Sequence, residues 1–259
     1  MLEQERVPLL IPKGELYTDV IRYLQQIGFK FDVNSSEKET IIPVPNIGVD
    51  LCAIRANDIP DVIGSAPFGI TGSDLIWERG WKENSGRELE ISKQNPHAKN
   101  WRLYIGITHR FAEYIRQIKQ REPLVSDIAD VPPLAPNQHP YVTTIATEYP
   151  HITRQYLEKN NIPSEKVPFF LGRGVSGSSE SMQHLSKNCN VIVTVISSGA
   201  SVKKNDIEVL HEFHEGTVRM INAGSMLTDS DRELLSKIEK LIGRECCPEN
   251  DASMTSHVE

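Results

Sequence analysis

Apolar runs of four to eight residues recur along this chain, and the most uniform of them is Val191-Ile-Val-Thr-Val-Ile196. Its residues are mostly β-branched, which predicts a strand buried on both faces. Segments with helical spacing lie between such runs, for example at 112–120 and 229–243. Strands that alternate with helices predict an α/β fold. Further apolar runs predict strands at 7–12, 41–44, 49–54, near 68, and at 101–108, 141–146, 167–171, 207–213 and 218–223.

Small residues, three of them serines, follow the central run, at Ser197-Ser-Gly-Ala-Ser201. Small side chains allow backbone N–H groups to approach an anion closely, and the positive end of a following helix favours its charge. One interpretation is therefore a phosphate-binding loop formed by Ser197, Ser198, Gly199, Ala200 and Ser201. The other is an ordinary strand-to-helix turn in which Ser197 or Ser198 caps the helix. The loop alone does not decide between them.

Three other predicted strands also end in small residues beside a charged one. Lys13 follows the first strand, Arg55 follows the strand at 49–54, and Ser73 and Asp74 follow the one near 68. Ligands of open α/β sheets bind at the carboxyl ends of strands, so these residues are candidates for one site. A lysine in a loop is also commonly an ordinary surface residue, and Lys13 keeps both interpretations.

The charge balance narrows the class of partner. The chain has 259 residues, with 28 Lys plus Arg against 35 Asp plus Glu and a formal net charge of −7. This acidic balance argues against a bulk nucleic-acid-binding protein. The apolar runs are too short for membrane spans, and the opening Met1-Leu-Glu-Gln-Glu lacks the charge pattern of a secretory signal. We therefore expect a cytoplasmic protein that binds no membrane.

The cysteines and histidines do not form a metal-binding pattern. Cys52 and Cys189 lie in apolar runs, which is typical of buried thiols, and the vicinal pair Cys246-Cys247 lies in a polar tail. His211 and His214 are three residues apart in a predicted strand, whereas the zinc-protease motif places two histidines four apart on a helix. We predict no metal site built from protein side chains.

Six segments, in the same order along the chain, resemble segments of the catalytic subunit of ATP phosphoribosyltransferase, the first enzyme of histidine biosynthesis. They are Ile11-Pro-Lys-Gly14, Arg55-Ala-Asn-Asp-Ile-Pro60, Gly69-Ile-Thr-Gly-Ser-Asp74, Ile145-Ala-Thr-Glu-Tyr-Pro-His-Ile-Thr-Arg154, Gly177-Ser-Ser-Glu180 and Ser197-Ser-Gly-Ala-Ser201. The resemblance implies two α/β lobes like those of type II periplasmic binding proteins, with a ligand cleft between them. Lobe I is then expected at 1–108 plus 206–245 and lobe II at 109–205, followed by a disordered tail at 246–259.

The resemblance also implies a reaction and its site. In this family N1 of ATP attacks C1 of phosphoribosyl pyrophosphate, and pyrophosphate leaves with a bound Mg2+ ion. This pentosyl transfer needs positioning and charge neutralisation rather than a covalent nucleophile. The loop Ser197–Ser201 is expected to hold the 5′-phosphate. The other binding positions of the family motifs are occupied here by Lys13, Arg55, Ser73, Asp74, Glu148, Tyr149, Glu180 and Thr194.

The resemblance has consequences for partners and for the outline of the chain. Short-form enzymes of this family work with a partner that resembles histidyl-tRNA synthetase, so we expect a possible regulatory subunit of that kind and a homo-oligomer. Relative to short forms, residues 82–100 and 122–140 are interpreted as insertions, the first as a polar surface excursion and the second as a long exposed loop. We also expect this chain to lack the C-terminal regulatory domain of long forms.

Three residues depart from the family pattern. Glu15 stands where members carry arginine, and Asn190 and Thr194 stand where they carry aspartates. The second aspartate accepts hydrogen bonds from the ribose hydroxyls, whereas Thr194 is uncharged and a weaker acceptor. Two alternatives follow: a diverged relative that acts on a different base or sugar phosphate in another pathway, or a ligand-binding module without catalysis.

Overall fold

A computed structural model describes residues 6–14, 16–32, 40–82, 85–91, 101–129, 145–163, 169–171, 189–196 and 199–244. Within these residues the chain divides into two compact units. The first comprises the described residues within Met1–Thr71, Gly86–Ile91 and Arg219–Glu259. The second comprises those within Gly72–Ser85 and Ser92–Val218.

Strands and helices alternate along most of the described chain. The strands are β1 (Val7–Lys13), β2 (Ile41–Val44), β3 (Val49–Arg55), β4 (Phe68–Gly72), β5 (Arg87–Glu88), β6 (Arg102–Thr108), β7 (Ile145–Thr147), β8 (Phe169–Leu171), β9 (Val191–Ile196), β10 (Ile207–Glu215) and β11 (Val218–Asn222). The helices are α1 (Tyr17–Gln26), α2 (Ile59–Val62), α3 (Ser73–Glu78), α4 (His109–Lys119), α5 (Pro150–Lys159), α6 (Ala200–Lys204) and α7 (Asp229–Arg244). Short 3-10 turns lie at Ala56–Asp58, Val125–Ile128 and Gly224–Met226.

The sheet of the first unit has the order β2-β3-β1-β4-β11-β5. Its central strand β1 pairs in parallel with β3 and β4, and four consecutive residues of β1 are buried. A strand covered on both faces needs a continuous apolar run, which the sequence Val7-Pro-Leu-Leu-Ile-Pro12 supplies. The predicted opening strand is therefore confirmed.

The sheet of the second unit has the order β10-β6-β9-β7-β8, with β9 at its centre. β9 runs parallel to β7 and antiparallel to β6. Val191, Val193, Ile105 and Ile145 are fully buried in one apolar cluster, against Leu157 of α5. The strand predicted at 191–196 is confirmed at those bounds and forms the middle of this unit.

The last helix shows how the sequence fixes an element end. Asp231 N–H donates to the hydroxyl of Thr228 at 3.1 Å, and the Asp231 carboxylate accepts from Thr228 N–H at 2.9 Å. This reciprocal capping satisfies two backbone donors at the start of α7. The sequence allows Thr228 or Asp229 as the cap, and in the structure Thr228 caps this helix. Within the described residues, no helix combines the length and the apolarity needed to cross a lipid bilayer.

The predicted surface excursion at 82–100 is wrong for its described middle part. Arg87 and Glu88 form β5, which pairs with β11 in the first sheet, and Leu89 and Ile91 are buried. The high polarity of the neighbouring residues concealed these two apolar positions. Of the predicted exposed loop at 122–140, residues 130–140 lie outside the described part, while residues 125–128 form a 3-10 turn with Asp127 and Ile128 buried.

The unit boundaries also lie at other residues than the predicted lobe boundaries of 108 and 206. β6 pairs with both β9 and β10, so residues 102–108 and 207–215 belong to the second sheet rather than to the first. Hydrogen-bonded ladders between strands far apart in sequence decide this assignment, and a single sequence does not reveal such pairing. The predicted tail at 246–259 lies outside the described residues.

Candidate active site

Two cations lie side by side at the carboxyl ends of the neighbouring strands β1 and β3. The parallel register of β1 and β3 pairs Lys13 with Arg55, the last residue of each strand, and both side chains are exposed. Gly14 follows Lys13 with φ of +95°, a conformation that favours glycine. Two adjacent cations at the carboxyl ends of parallel strands form a suitable anion-binding surface. The sequence placed both residues at strand ends, and the register brings them together.

A second pair of candidate residues meets in the second unit. β7 and β9 run parallel with Thr147 aligned to Val193, which brings the following residues, Glu148 and Thr194, close together. The hydroxyl of Thr194 lies 3.5 Å from Oε1 of Glu148. Thr194 is buried, and Glu148 is half-buried. A carboxylate therefore lies beside the position at which Thr194 departs from the family aspartate.

Asp74 is held inside the second unit by two neutral donors. Tyr149 donates its hydroxyl to Oδ2 at 2.8 Å, and the indole N–H of Trp101 donates to Oδ1 at 3.1 Å. Asp74 is 3% exposed and Tyr149 is 4% exposed. Two residues predicted to bind substrate thus contact each other directly. Each carboxylate oxygen has one donor from a different part of the chain.

Burial governs the ionisation of this pair. Desolvation raises the pKa of the Asp74 carboxyl above its ordinary value, although the hydrogen bonds from Tyr149 and Trp101 oppose the shift. Burial, followed by the charge of Asp74, raises the pKa of Tyr149 well above its ordinary value. Tyr149 therefore stays protonated at neutral pH and remains a hydrogen-bond donor.

Ser73 connects the start of α3 to the end of β10. Ser73 N–H donates to the carbonyl of Thr217 at 2.8 Å, and Thr217 N–H donates to the hydroxyl of Ser73 at 3.0 Å. The same hydroxyl lies 3.2 Å from Nε2 of His214. Ser73 is 1% exposed. In this conformation its side chain holds two segments of the second unit together.

Helix α3 also stabilises the start of α5. Glu78 accepts the backbone N–H groups of His151 and Ile152, each at 3.0 Å. These amides belong to the first turn of α5 and have no partner within that helix. Trp77 donates its indole N–H to Gln155 at 2.8 Å, on the next turn of α5. The turn that carries Glu148 and Tyr149 is therefore anchored through the helix that follows it.

The loop after β9 is described only from Gly199 onward. Gly199 is the N-cap residue of α6, with φ of +73°. The alternative in which Ser197 or Ser198 caps this helix concerns two residues outside the described part of the chain, so both interpretations of the loop stay predictions. Ala200 and Ser201 are exposed. The predicted site residues Ser197, Ser198 and Glu180, and the departing residue Glu15, lie outside the described part of the chain.

The two histidines of His211-Glu-Phe-His214 have different partners. Nδ1 of His211 lies 2.7 Å from the hydroxyl of Tyr156, whereas His214 contacts Ser73 and the ring of Trp77. Among the described residues, no three His, Cys, Asp or Glu side chains are grouped closely enough to hold a metal ion.

Trp101 and Glu78 are the site-forming residues that the sequence did not reveal. Both lie outside the six motifs, and Trp101 contacts Asp74 across 27 positions of sequence. Glu78 gave a weak signal, since it lies one helical turn after Asp74 on the same helix. Trp101 gave none, because an indole donor is indistinguishable in sequence from a core tryptophan.

Comparison with known proteins identifies the family. A family model described as HisG, ATP phosphoribosyltransferase, matches residues 55–244. The chain is 25% identical over 228 residues to an ATP phosphoribosyltransferase of Metallosphaera sedula, covering 87% of this chain and 68% of that protein. It is 24% identical over 246 residues to one of Deinococcus deserti, covering 93% of this chain and 95% of that protein.

The fold agrees with this match. A chain of the ATP phosphoribosyl transferase (HisG:HisZ) complex from Thermotoga maritima superposes with a TM-score of 0.58 at 21% identity, covering 91% of this chain and 96% of that one. The predicted fold class, α/β with two lobes of the type II periplasmic-binding-protein kind, is confirmed. Since the family model spans most of the chain, this protein belongs to the ATP phosphoribosyltransferase family.

Proposed function

We propose that this protein is a pentosyl transferase that joins N1 of ATP to C1 of phosphoribosyl pyrophosphate and releases pyrophosphate. The observation that carries the proposal is the family match over residues 55–244, which includes five of the six sequence motifs. The match does not favour the two alternatives, a different substrate pair or a module without catalysis. The reaction requires an oriented acceptor, a neutralised leaving group and a shielded ribosyl cation.

Anion binding is assigned to residues of both units, each considered by itself. In the second unit, the loop Ser197–Ser201 is proposed to bind the 5′-phosphate, a role supported by the left-handed Gly199 and the exposed Ala200 and Ser201. In the first unit, the adjacent Lys13 and Arg55 are proposed to bind an anionic part of a substrate. Glu180 is proposed as a further substrate contact, on the motif alone.

Ribose recognition is assigned to Glu148 and Thr194. The Glu148 carboxylate supplies two strong acceptors, while the Thr194 hydroxyl both donates and accepts. Their separation of 3.5 Å supports a shared role at the carboxyl ends of β7 and β9. Glu148, which follows β7, keeps one carboxylate next to position 194, where the family carries a second acid. Ser73, Asp74 and Tyr149 are each buried, and they are proposed to support this site through their hydrogen bonds.

Magnesium is proposed to arrive with the pyrophosphate donor. Mg2+ commonly binds substrate phosphates and water with few protein ligands, so it needs no dedicated cage of side chains. The ion would neutralise charge on the leaving pyrophosphate. The protein residues bind and orient the donor around it.

A partner subunit is also proposed. The Thermotoga maritima chain was solved in a HisG:HisZ complex, which supports a regulatory subunit of the histidyl-tRNA-synthetase-like kind and an oligomeric assembly for this chain. Light scattering of the purified chain alone measures its oligomeric state. The same measurement with such a subunit from the same organism measures whether the two form a complex. The cytoplasmic location stays a prediction.

Pyrophosphate release tests the proposed activity. The purified chain is incubated with ATP, phosphoribosyl pyrophosphate and Mg2+, with and without the partner subunit, and released pyrophosphate is measured. We expect release that depends on both substrates. No release with the partner present would contradict the proposal.

A matched pair of variants tests the proposed phosphate loop. Ser201→Asp places a negative charge beside the expected phosphate and should abolish turnover. Ser230→Asp places the same charge on the exposed first turn of α7 and should leave turnover unchanged. Equal activity of the two variants would remove the anion-binding role of this loop.

A further inference from the structure

The indole ring of Trp101 is closely packed and hydrogen-bonded within the second unit. The indole N–H donates to Oδ1 of Asp74 at 3.1 Å, and the Trp101 carbonyl accepts Gly216 N–H at 2.7 Å. A Cβ on Gly216 would overlap the indole nitrogen, and one on Gly72 would lie 3.1 Å from Cζ2 of the ring. Glycine at both positions therefore leaves the space that the ring fills.

The indole and Tyr149 hold Asp74 from two directions. Trp101 precedes β6 and donates to Oδ1, whereas Tyr149 precedes α5 and donates to Oδ2 at 2.8 Å. A Cβ on Gly72 would also overlap Oδ1 of Asp74, so glycine at this position is what leaves room for the carboxylate in this orientation. Because hydrogen bonds to a charged acceptor are stronger than neutral ones, both donors restrict this side chain to one orientation.

Tyr149 carries this restraint to the proposed ribose contact. Its backbone N–H donates to the hydroxyl of Thr147 at 2.9 Å, and its carbonyl accepts the hydroxyl of Thr153 at 2.6 Å. Glu148 lies between Thr147 and Tyr149, next to Thr194. Because the backbone on both sides of Glu148 is held by these hydrogen bonds, the Cα of Glu148 is held as well. Movement of Tyr149 would therefore displace Glu148.

We propose that Trp101 is a positioning residue of this enzyme, which acts through Asp74 and Tyr149 to hold the turn that carries Glu148 in the orientation used for phosphoribosyl transfer. The inference rests on the proposed function for its substrate. It assigns a role to a residue that lies outside the six motif segments. Trp101 donates to Asp74 rather than to Glu148, so its effect passes through hydrogen bonds.

The test compares Trp101→Phe with Trp81→Phe. The first keeps an aromatic ring between the two glycines and removes the donor to Asp74. The second removes an indole N–H from the same unit that, within the described residues, does not donate to Asp74. We expect Trp101→Phe to lower kcat/KM about tenfold, which corresponds to one lost hydrogen bond to a charged group. Trp81→Phe should keep the wild-type value.

The pH profile separates positioning from a general loss of folding. Without the Trp101 donor, the Asp74 carboxyl binds its proton more tightly, so the acidic limb of kcat/KM should move to higher pH. Tyr149→Phe should move it in the same direction. Two other groups face Asp74: Tyr149 at the start of α5, and His214 of β10. Besides burial and the charge of Asp74, the charges of Glu148 and Glu78 raise the pKa of Tyr149. Wild-type kcat/KM and an unmoved limb in Trp101→Phe would overturn the proposal.

Two further measurements keep the proposal testable if turnover or folding is lost. If the wild-type protein releases no pyrophosphate, the proposed function fails. The increase in Tm that phosphoribosyl pyrophosphate causes then tests whether Trp101 positions the binding site. A smaller shift in Trp101→Phe than in Trp81→Phe supports positioning, and equal shifts overturn it.

If Trp101→Phe does not fold, Gly216→Ala is made in the wild-type protein instead. Its added Cβ displaces the ring of Trp101 and should lower kcat/KM. Unchanged kcat/KM in Gly216→Ala would overturn the role of the indole.

Discussion

Tyr149 donates its hydroxyl to Oδ2 of Asp74 at 2.8 Å, and both side chains are buried. Tyr149→Phe removes this donor while keeping the ring. We expect the free energy of unfolding to fall by about 2 kcal/mol, because a hydrogen bond to a buried charged group is lost. Urea denaturation measures the change. Tyr114→Phe, on the partly exposed face of α4, is the control and should change stability by less than about 0.5 kcal/mol.

The buried Asp74 carboxyl should produce a pH-dependent stability of known sign. Burial raises its pKa in the folded state, so the folded protein binds this proton more tightly than the unfolded chain does. The resulting stability is complete below the unfolded pKa of about 3.9 and is lost as pH rises through the folded pKa. Wild-type protein should therefore lose stability relative to Asp74→Asn above about pH 4, by at most about 1.4 kcal/mol per pH unit. A difference that grows in the opposite direction would contradict this assignment.

Asp127 should show the opposite dependence. It accepts hydrogen bonds from Lys119 at 2.6 Å, from Arg121 at 2.7 Å and from Leu124 N–H at 2.8 Å. Burial opposes ionisation, but these donors prevail and hold the pKa of Asp127 well below its ordinary value. Its stability is therefore present above the unfolded pKa of about 3.9 and is lost as pH falls.

We expect Asp127→Asn to reduce the free energy of unfolding by about 2 kcal/mol at pH 7, since its basic partners are partly exposed and screened. The difference from wild type should shrink below about pH 4. Denaturation at both pH values measures it. Glu158→Gln, an exposed acid on α5, is the control and should be neutral at both. A difference that persists unchanged at low pH would show that charge is not the cause.

The contact between Glu148 and Thr194 predicts how an aspartate at position 194 would affect stability. Thr194→Asp would place a second carboxylate beside Glu148, whose Oε1 now lies 3.5 Å from the Thr194 hydroxyl. Two close carboxylates repel, so Thr194→Asp should be destabilised by about 1 kcal/mol at pH 8. The double variant Glu148→Gln with Thr194→Asp should recover this loss. Thermal unfolding of the four proteins gives the coupling, and simple additivity of the two changes would contradict direct contact.

Much of the fold followed from local patterns. Every residue in the run at 191–196 is β-branched and all but Thr194 are apolar, and the run forms a strand with those bounds. The prediction of a surface excursion is wrong at 86–91, because the buried Leu89 and Ile91 are isolated apolar residues among polar ones. The pairing of β6 and β10 with β9 was not accessible either, because strand order depends on contacts between residues distant in sequence.

The site was accessible only where the motifs are. The motif residues Asp74, Tyr149, Glu148 and Thr194 are brought together in the second unit by strand register and by hydrogen bonds. Their roles in substrate binding remain predictions. Trp101 could not be recognised, since its importance depends on the space left by Gly216. The sequence identifies the chemical groups, whereas the packing determines which of them can still move.

The carboxylate of Glu78 completes the first turn of a helix that begins more than 70 positions later in the chain, at sequence separations of 73 and 74. The short segment Gly72–Ser85 is thus a structural component of the second unit, although β5 of the first unit separates it from the rest. A fragment started at residue 92 would leave the leading amides of α5 without this acceptor and Tyr149 without Asp74. Truncated versions of the second unit therefore require the earlier segment to be supplied, by grafting or by circular permutation.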